Sequence, residues 1–174
     1  LNQLRDFEFF EGNSNALRTL THSFNEPEPG GYRLTYTTLA SLVKYPCASV
    51  SGFNKETGLI ATKKSGFFDS EMATYKQIAN TLGIPAKEGY EHVYARHPFV
   101  YLTEAADDIC YRVIDMEDAH RLHIVSIDKF MELFMPFFEG EEQYDSADYI
   151  KSKLDKINDD NQKVQYIRAR WIGL

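Results

Sequence analysis

The chain has 174 residues, 43% hydrophobic and 26% charged, the balance of an ordinary globular protein rather than of a disordered or collagen-like one. A net charge of −7 excludes wholesale wrapping of nucleic acid while leaving room for a local basic patch, and 14% aromatic content favours a packed interior with pockets. No apolar run approaches the ~20 residues of a membrane span, and no signal-peptide pattern opens the chain. Cys47 and Cys110 are too few for a disulfide framework and read as reduced thiols of a cytoplasmic protein.

Nearly every periodic segment has helical spacing, and none alternates with the two-residue period of a strand, so the expectation is an all-α chain. The opening "LNQLRDFEFFEGN" looks like the middle of a helix. "NALRTLTHSF" sets Leu17, Leu20 and Phe24 three and four apart before "NEPEPGG" breaks the chain. "LTYTTLASLVKYP" gathers Leu34, Leu39, Leu42 and Val43 and stops before Pro46. Ala48 to Gly66 mixes Gly, Ser, Thr and Lys without period and reads as a long mobile loop with few apolar anchors. "FFDSEMATYKQIANTLG" starts at Asp69 or Ser70 as N-cap and ends at Gly83. Pro98 opens a long helix, a favoured first-turn position. "SIDKFMELFMPFF" begins near Ser126 or Asp128 and is disturbed by Pro136, with Phe130, Phe134, Phe137 and Phe138 assigned to the core. The acidic connector "EGEEQYDSAD" leads into one or two last helices. No internal repeat or domain boundary is visible, and both ends give the impression of a piece excised from something longer.

The long helix carries most of the chemistry. Asp107, Tyr111 and Asp115 are spaced by four, so they line one stripe, each turned ~40° from the last. Ile114 and Cys110 lie beside them, so the stripe is not simply a polar surface, and burying two carboxylates there requires a cation or donors. The stripe is either solvated acid with Tyr111 packed on a neighbour, or a site that needs negative charge. Helix geometry alone does not decide between the two. Asp108 can pair with Arg112, and Glu117, Asp118 and Arg121 read as a solvated continuation.

"YARHPFVYLTEAADDICYRVIDMEDA" resembles the last metal-ligand helix of the bacterial dGTP triphosphohydrolases, a branch of the HD phosphohydrolase superfamily. "FFEGNSNALRTLTHSF", "GYRLTYTTLASLVKYPC" and "GFFDSE" fit the same family in the same order, so the resemblance covers most of residues 1–135. It implies a partial HD-type helical bundle spanning residues 1–174 and a divalent metal, Mg or Mn, held by His, a His-Asp pair and a distant Asp corresponding to Asp107. By the same match Tyr111 faces the deoxyribose, Asp115 bonds the 3′-hydroxyl, and Lys44 and Tyr45 hold the triphosphate of dGTP or another dNTP. The implied reaction releases nucleoside and intact triphosphate by attack of water on the α-phosphorus. Homo-oligomerisation, and single-stranded nucleic acid as a regulator, are implied on the same analogy.

One departure limits the match. None of His22, His92, His97, His120 and His123 is followed by Asp, and the family's remaining ligands lie upstream of the "FEGN" block. The chain alone is therefore expected to be inactive. The competing reading is a non-catalytic HD-like module that senses nucleotides or serves assembly. Other residues have plainer roles available. Arg96 and His97 suit helix capping and packing, with the phosphate-facing role that the family's similar "RHP" implies as the sharper alternative; His120 and His123 suit a helix C-terminus, with a metal pair as the alternative; and Asn13 and Asn15 suit capping as well as they suit a site boundary. Cys110 has no partner that would make it a nucleophile. Lys55, Lys63 and Lys64 read first as solvated loop lysines, with nucleic acid or a second nucleotide as the sharper alternative.

Overall fold

A computed structural model describes residues 2–23 and 31–173; Phe24 and the break at 25–30 lie outside the described residues. Among them the regular structure is helical, as the periodicity predicts, with three isolated β-bridges and no strand. The chain divides into two compact units, Leu1–Glu104 and Ala105–Leu174, at a point inside its longest helix where the sequence shows no boundary.

The first unit contains α1 (Asn2–Glu8), α2 (Gly12–Thr21), α3 (Tyr36–Leu42) and α4 (Met72–Leu82). Thr35 caps α3 by accepting from the Thr38 N–H, and Gly83, at φ 67°, supplies the left-handed residue that ends α4. Leu17, Leu39, Val43 and Ile78 pack around a stack of Phe67 on Tyr75, centroids 4.4 Å apart, with the Tyr94 ring edge-on to Tyr75 at 5.2 Å.

Asp69 is not the cap of α4 that its position suggests. Its carboxylate turns back to accept from the Val50 and Ser51 N–H groups. The capping charge comes instead from Asp6 on α1, buried to 7% exposure, which accepts from Ser49 Oγ at 2.5 Å, Asp69 N–H at 2.9 Å and Ser70 N–H at 3.2 Å. One carboxylate thus joins α1, the loop at Ser49 and the turn leading into α4.

The segment 48–66 is a loop, as its composition indicates, but it does not lack anchors. Ala48, Ser49, Ala61, Thr62 and Ser65 are buried, and Ser49 N–H donates to Phe67 O while Gly66 N–H donates to Cys47 O. Backbone pairing and small side chains hold it where large apolar ones are missing. At Gly66 a Cβ would sit 2.2 Å from Tyr45 O, so only glycine allows this approach.

The second unit holds the rest of α5 (Phe99–Arg121) together with α6 (Ile127–Phe134), α7 (Ala147–Leu154) and α8 (Asp160–Ile172). Ser126, Ser146 and Asp159 cap the last three through the N–H groups of Lys129, Tyr149 and Gln162. Phe130 stacks on Phe134 at 4.4 Å, beside Val113, Ile150, Leu154 and Ile167. Phe137, assigned to the core from sequence, is 54% exposed and meets Trp171 edge-on at 5.3 Å. Around Pro136 the chain tightens to a 3-10 turn, Met135–Phe138, which sends Phe138 inward and leaves Phe137 outside.

Asp6→Ala removes the acceptor of the Ser49 hydroxyl and the Ser70 N–H, leaves Asp69 N–H with Ser49 Oγ alone, and is expected to cost about 1–3 kcal/mol, read from urea unfolding. A loss below about 0.5 kcal/mol would show that the three segments are held by other contacts.

Candidate functional site

The residues assigned from sequence fall into two groups, one in each unit. Lys44 and Tyr45 follow α3 in a tight turn, with Lys44 N–H donating to Leu42 O and Cys47 N–H to Tyr45 O. The next residues are held from two sides: Gly66 N–H and Ser49 N–H pair with or toward residues 47 and 67, while Tyr94 N–H donates to Pro46 O and Ala48 N–H to His92 O. Both side chains are half-buried. A lysine and a tyrosine on a backbone fixed this way can present a cation and a hydroxyl without ordering the chain, which suits an anionic ligand.

Asp107, Tyr111 and Asp115 lie in the second unit on α5. Its inner side is marked by Val113, Glu117 and His120, exposed by 1%, 5% and 8%. At 100° per residue the stripe is centred roughly 150° around the helix from that side. Asp107 is accordingly half-buried, Asp115 exposed and Tyr111 60% exposed. The stripe therefore points away from the helix's own core, with Ile109 and Ile114 exposed near it.

Glu117 is not part of a solvated continuation. It is buried between Arg121 at 3.3 Å and Arg168 of α8 at 3.0 Å, and this is the i,i+4 pair on the helix rather than Asp108 with Arg112. His120 and His123 both line a cavity of about 560 Å³. His120 lies inside, its Nδ1 3.0 Å from Val125 O and its ring edge-on to Phe130. His123 sits in the turn after the helix at φ 59°.

At the other end of α5, His97 Nδ1 accepts from the Phe99 N–H, a side-chain cap, and Arg96 forms an ion pair with Glu104 while stacking on Tyr101 at 4.6 Å. Asn13 donates to Glu11, and Asn15 lines a cavity of about 260 Å³ with Asp6, Arg18 and Ser70. Lys55, Lys63 and Lys64 line another of about 380 Å³, where Lys64 is 3.7 Å from Glu11. Sequence reasoning missed Asp6, Arg168 and the Arg18–Glu71 pair, because each acts on a partner distant in the chain.

Among the described residues no three His, Cys, Asp or Glu side chains converge to hold a metal ion. Asp107 offers one carboxylate, and the residues of this chain do not by themselves fit the divalent ion the resemblance implies. Among the described residues no helix is long and apolar enough to cross a membrane.

No family model matches the chain. Curated relatives do. It is 39% identical over 134 residues to a deoxyguanosinetriphosphate triphosphohydrolase-like protein of Pseudomonas aeruginosa, covering 75% of this chain and 28% of that protein. Proteins of the same description match from Synechocystis, 37% over 122 residues (67% of the chain, 27% of the relative), and from Listeria monocytogenes, 30% over 168 residues (97% and 34%). The last alignment is long enough to run through both residue groups. The all-α chain thus belongs to the deoxyguanosinetriphosphate triphosphohydrolase-like family, and it spans between a quarter and about a third of the length of these relatives.

Cys47, next to the Lys44–Tyr45 turn, has its thiol pushed up to about 12 by burial, partly offset by a backbone hydrogen bond from Gly66. In an unfolded chain a thiol ionises near ~8.5. Because the folded value is the higher, the stability it contributes is complete below the unfolded value of ~8.5 and is lost as pH rises from there toward about 12. Unfolding titrations should show this alkaline decline, and Cys47→Ala should remove its early part. In the native state a maleimide at pH 8 should modify the half-buried Cys110 and spare Cys47; equal rates at the two thiols would contradict the burial.

Proposed function

We propose that this chain is the segment of a deoxynucleoside triphosphate triphosphohydrolase, dGTP-directed, that contacts the sugar and the phosphates of the substrate. The observation that carries the reading is the family match at 30–39% identity, running through a helix whose Asp107–Tyr111–Asp115 stripe is turned away from its own core. In this reading the Tyr111 ring lies against the deoxyribose and leaves no room for a 2′-hydroxyl. Asp115 accepts from the 3′-hydroxyl, and Lys44 and Tyr45 engage the triphosphate, lysine as a compact charge for phosphate oxygens. Water attacks the α-phosphorus, the bond to the 5′-oxygen breaks, and deoxyguanosine leaves with a proton while triphosphate is released intact. A divalent ion, magnesium or manganese, would supply charge stabilisation in such chemistry; Asp107 would offer it one carboxylate, and the described residues do not complete a ligand set. A cytoplasmic homo-oligomer, with single-stranded nucleic acid as a regulator, belongs to the same proposal.

The lack of a converged ligand set among the described residues favours a second reading, a non-catalytic module of the same family that senses nucleotides or serves assembly. Activity separates the two. In the protein that carries this segment, Asp107→Ala should lower triphosphate release from dGTP by at least ~100-fold. Tyr111→Ala and Asp115→Ala should each cost about tenfold in kcat/KM, some 1.4 kcal/mol. Lys44→Ala should raise KM with metal content unchanged. The 174-residue chain alone, incubated with dGTP and Mg²⁺ or Mn²⁺, should release none. Wild-type activity in Asp107→Ala under saturating metal would refute the enzyme reading.

A further inference from the structure

The C-terminal end of α5 brings two imidazoles to one cavity of the second unit. His120, His123, Lys129 and Asp160 all line the hollow of about 560 Å³ around the turn into α6. His120 is 8% exposed, and its ring is held edge-on to Phe130. A carbonyl oxygen only accepts, so the 3.0 Å contact of Nδ1 with Val125 O puts the proton of the neutral ring on Nδ1 and the lone pair on Nε2. Nε2 has no hydrogen-bond partner among the described residues, yet it is not one of the polar atoms sealed from solvent, so it opens to the cavity. An imidazole oriented through a backbone carbonyl at one nitrogen and free at the other has the arrangement of a metal ligand.

His123 is the unexpected residue of this turn. Its N–H donates to His120 O and the Ile124 N–H to Ala119 O, the pair of hydrogen bonds that closes a helix through a left-handed residue. Here that residue is His123, at φ 59°, in a position that favours glycine and that Gly83 fills at the end of α4. A side chain kept where glycine is easier argues for a use of the side chain. The other charges on the cavity wall are already matched, Lys129 by Glu132 at 2.6 Å and Asp160 by Lys163 at 2.8 Å. Asp160 therefore does not complete a ligand set, and two imidazoles are what the cavity offers a cation.

We propose that His120 Nε2 and the His123 ring form a two-imidazole site for a zinc-type divalent cation, with water completing the coordination. Neutral ring nitrogens suit zinc, nickel or copper, whereas magnesium and manganese prefer oxygen. The site shares no residue with those assigned above to the substrate or to its divalent ion, so it stands or falls independently of that reading. A bound cation clamps the last turn of α5 to the left-handed turn that follows it.

The test is a titration of the 174-residue chain with zinc chloride, and separately with magnesium chloride, followed by NMR of the histidine rings and the backbone amides. The proposal predicts saturable zinc binding with a Kd in the ~10 μM range, shifts centred on His120 and His123, and no response there to ~1 mM magnesium. His123→Gly, an exposed position that glycine suits, should weaken zinc at least ~tenfold and leave the Tm of the zinc-free chain unchanged or higher. A purely structural histidine would not separate those two readouts. His120→Asn, which keeps an N–H for Val125 O and deletes Nε2, should lose zinc in the same way. No saturation up to ~1 mM zinc, shifts centred on Cys110 or on the other histidines, or unchanged affinity in His123→Gly would overturn the proposal.

Discussion

The Glu117 carboxylate, buried and held between Arg121 and Arg168, is the constraint on which the acidic helix depends. A buried carboxylate is tolerable only when paired, and removing both arginines would leave the charge uncompensated. The pair ties α5 to α8 and, with Val113 and His120, fixes which side of α5 faces the core. The rotation of a helix is a single variable. Once Glu117 is turned in, Asp107, Tyr111 and Asp115 are turned out.

In the first unit the comparable constraint is Asp6. Its three accepted hydrogen bonds gather α1, Ser49 and the start of α4 around a segment, Pro46–Ser49, that is itself paired to residues 66–67 and 92–94. The Lys44–Tyr45 turn precedes that segment directly. Both candidate groups thus rest on backbone or helix geometry fixed by a buried carboxylate.

Much of this was legible in the sequence, and the parts that were not share a cause. Helix ends marked by local chemistry read correctly: Gly83, Ser126 and the residues around Pro98 act within a few positions of themselves. The Asp107–Tyr111–Asp115 stripe was legible for the same reason, since spacing by four fixes a face. Asp69 misled because its strongest partners, Val50 and Ser51, are close only in the folded chain, while the cap came from Asp6. Glu117 looked solvated because Arg121 is nearby in sequence and Arg168 is not. The loop at 48–66 looked unanchored because composition counts side chains, and its anchors are backbone bonds and small buried residues.

In the proposed reading Tyr111 is the group that reads the sugar. The most direct measurement is the ratio of kcat/KM for dGTP over GTP in the protein that carries this segment, for wild type and Tyr111→Ala. A ring packed against the 2′-carbon predicts a ratio of ~100 or more, falling below ~10 when the ring is removed, with the loss of discrimination arising mainly from faster GTP turnover. An unchanged ratio in Tyr111→Ala would contradict the assignment of this face of α5 to the deoxyribose.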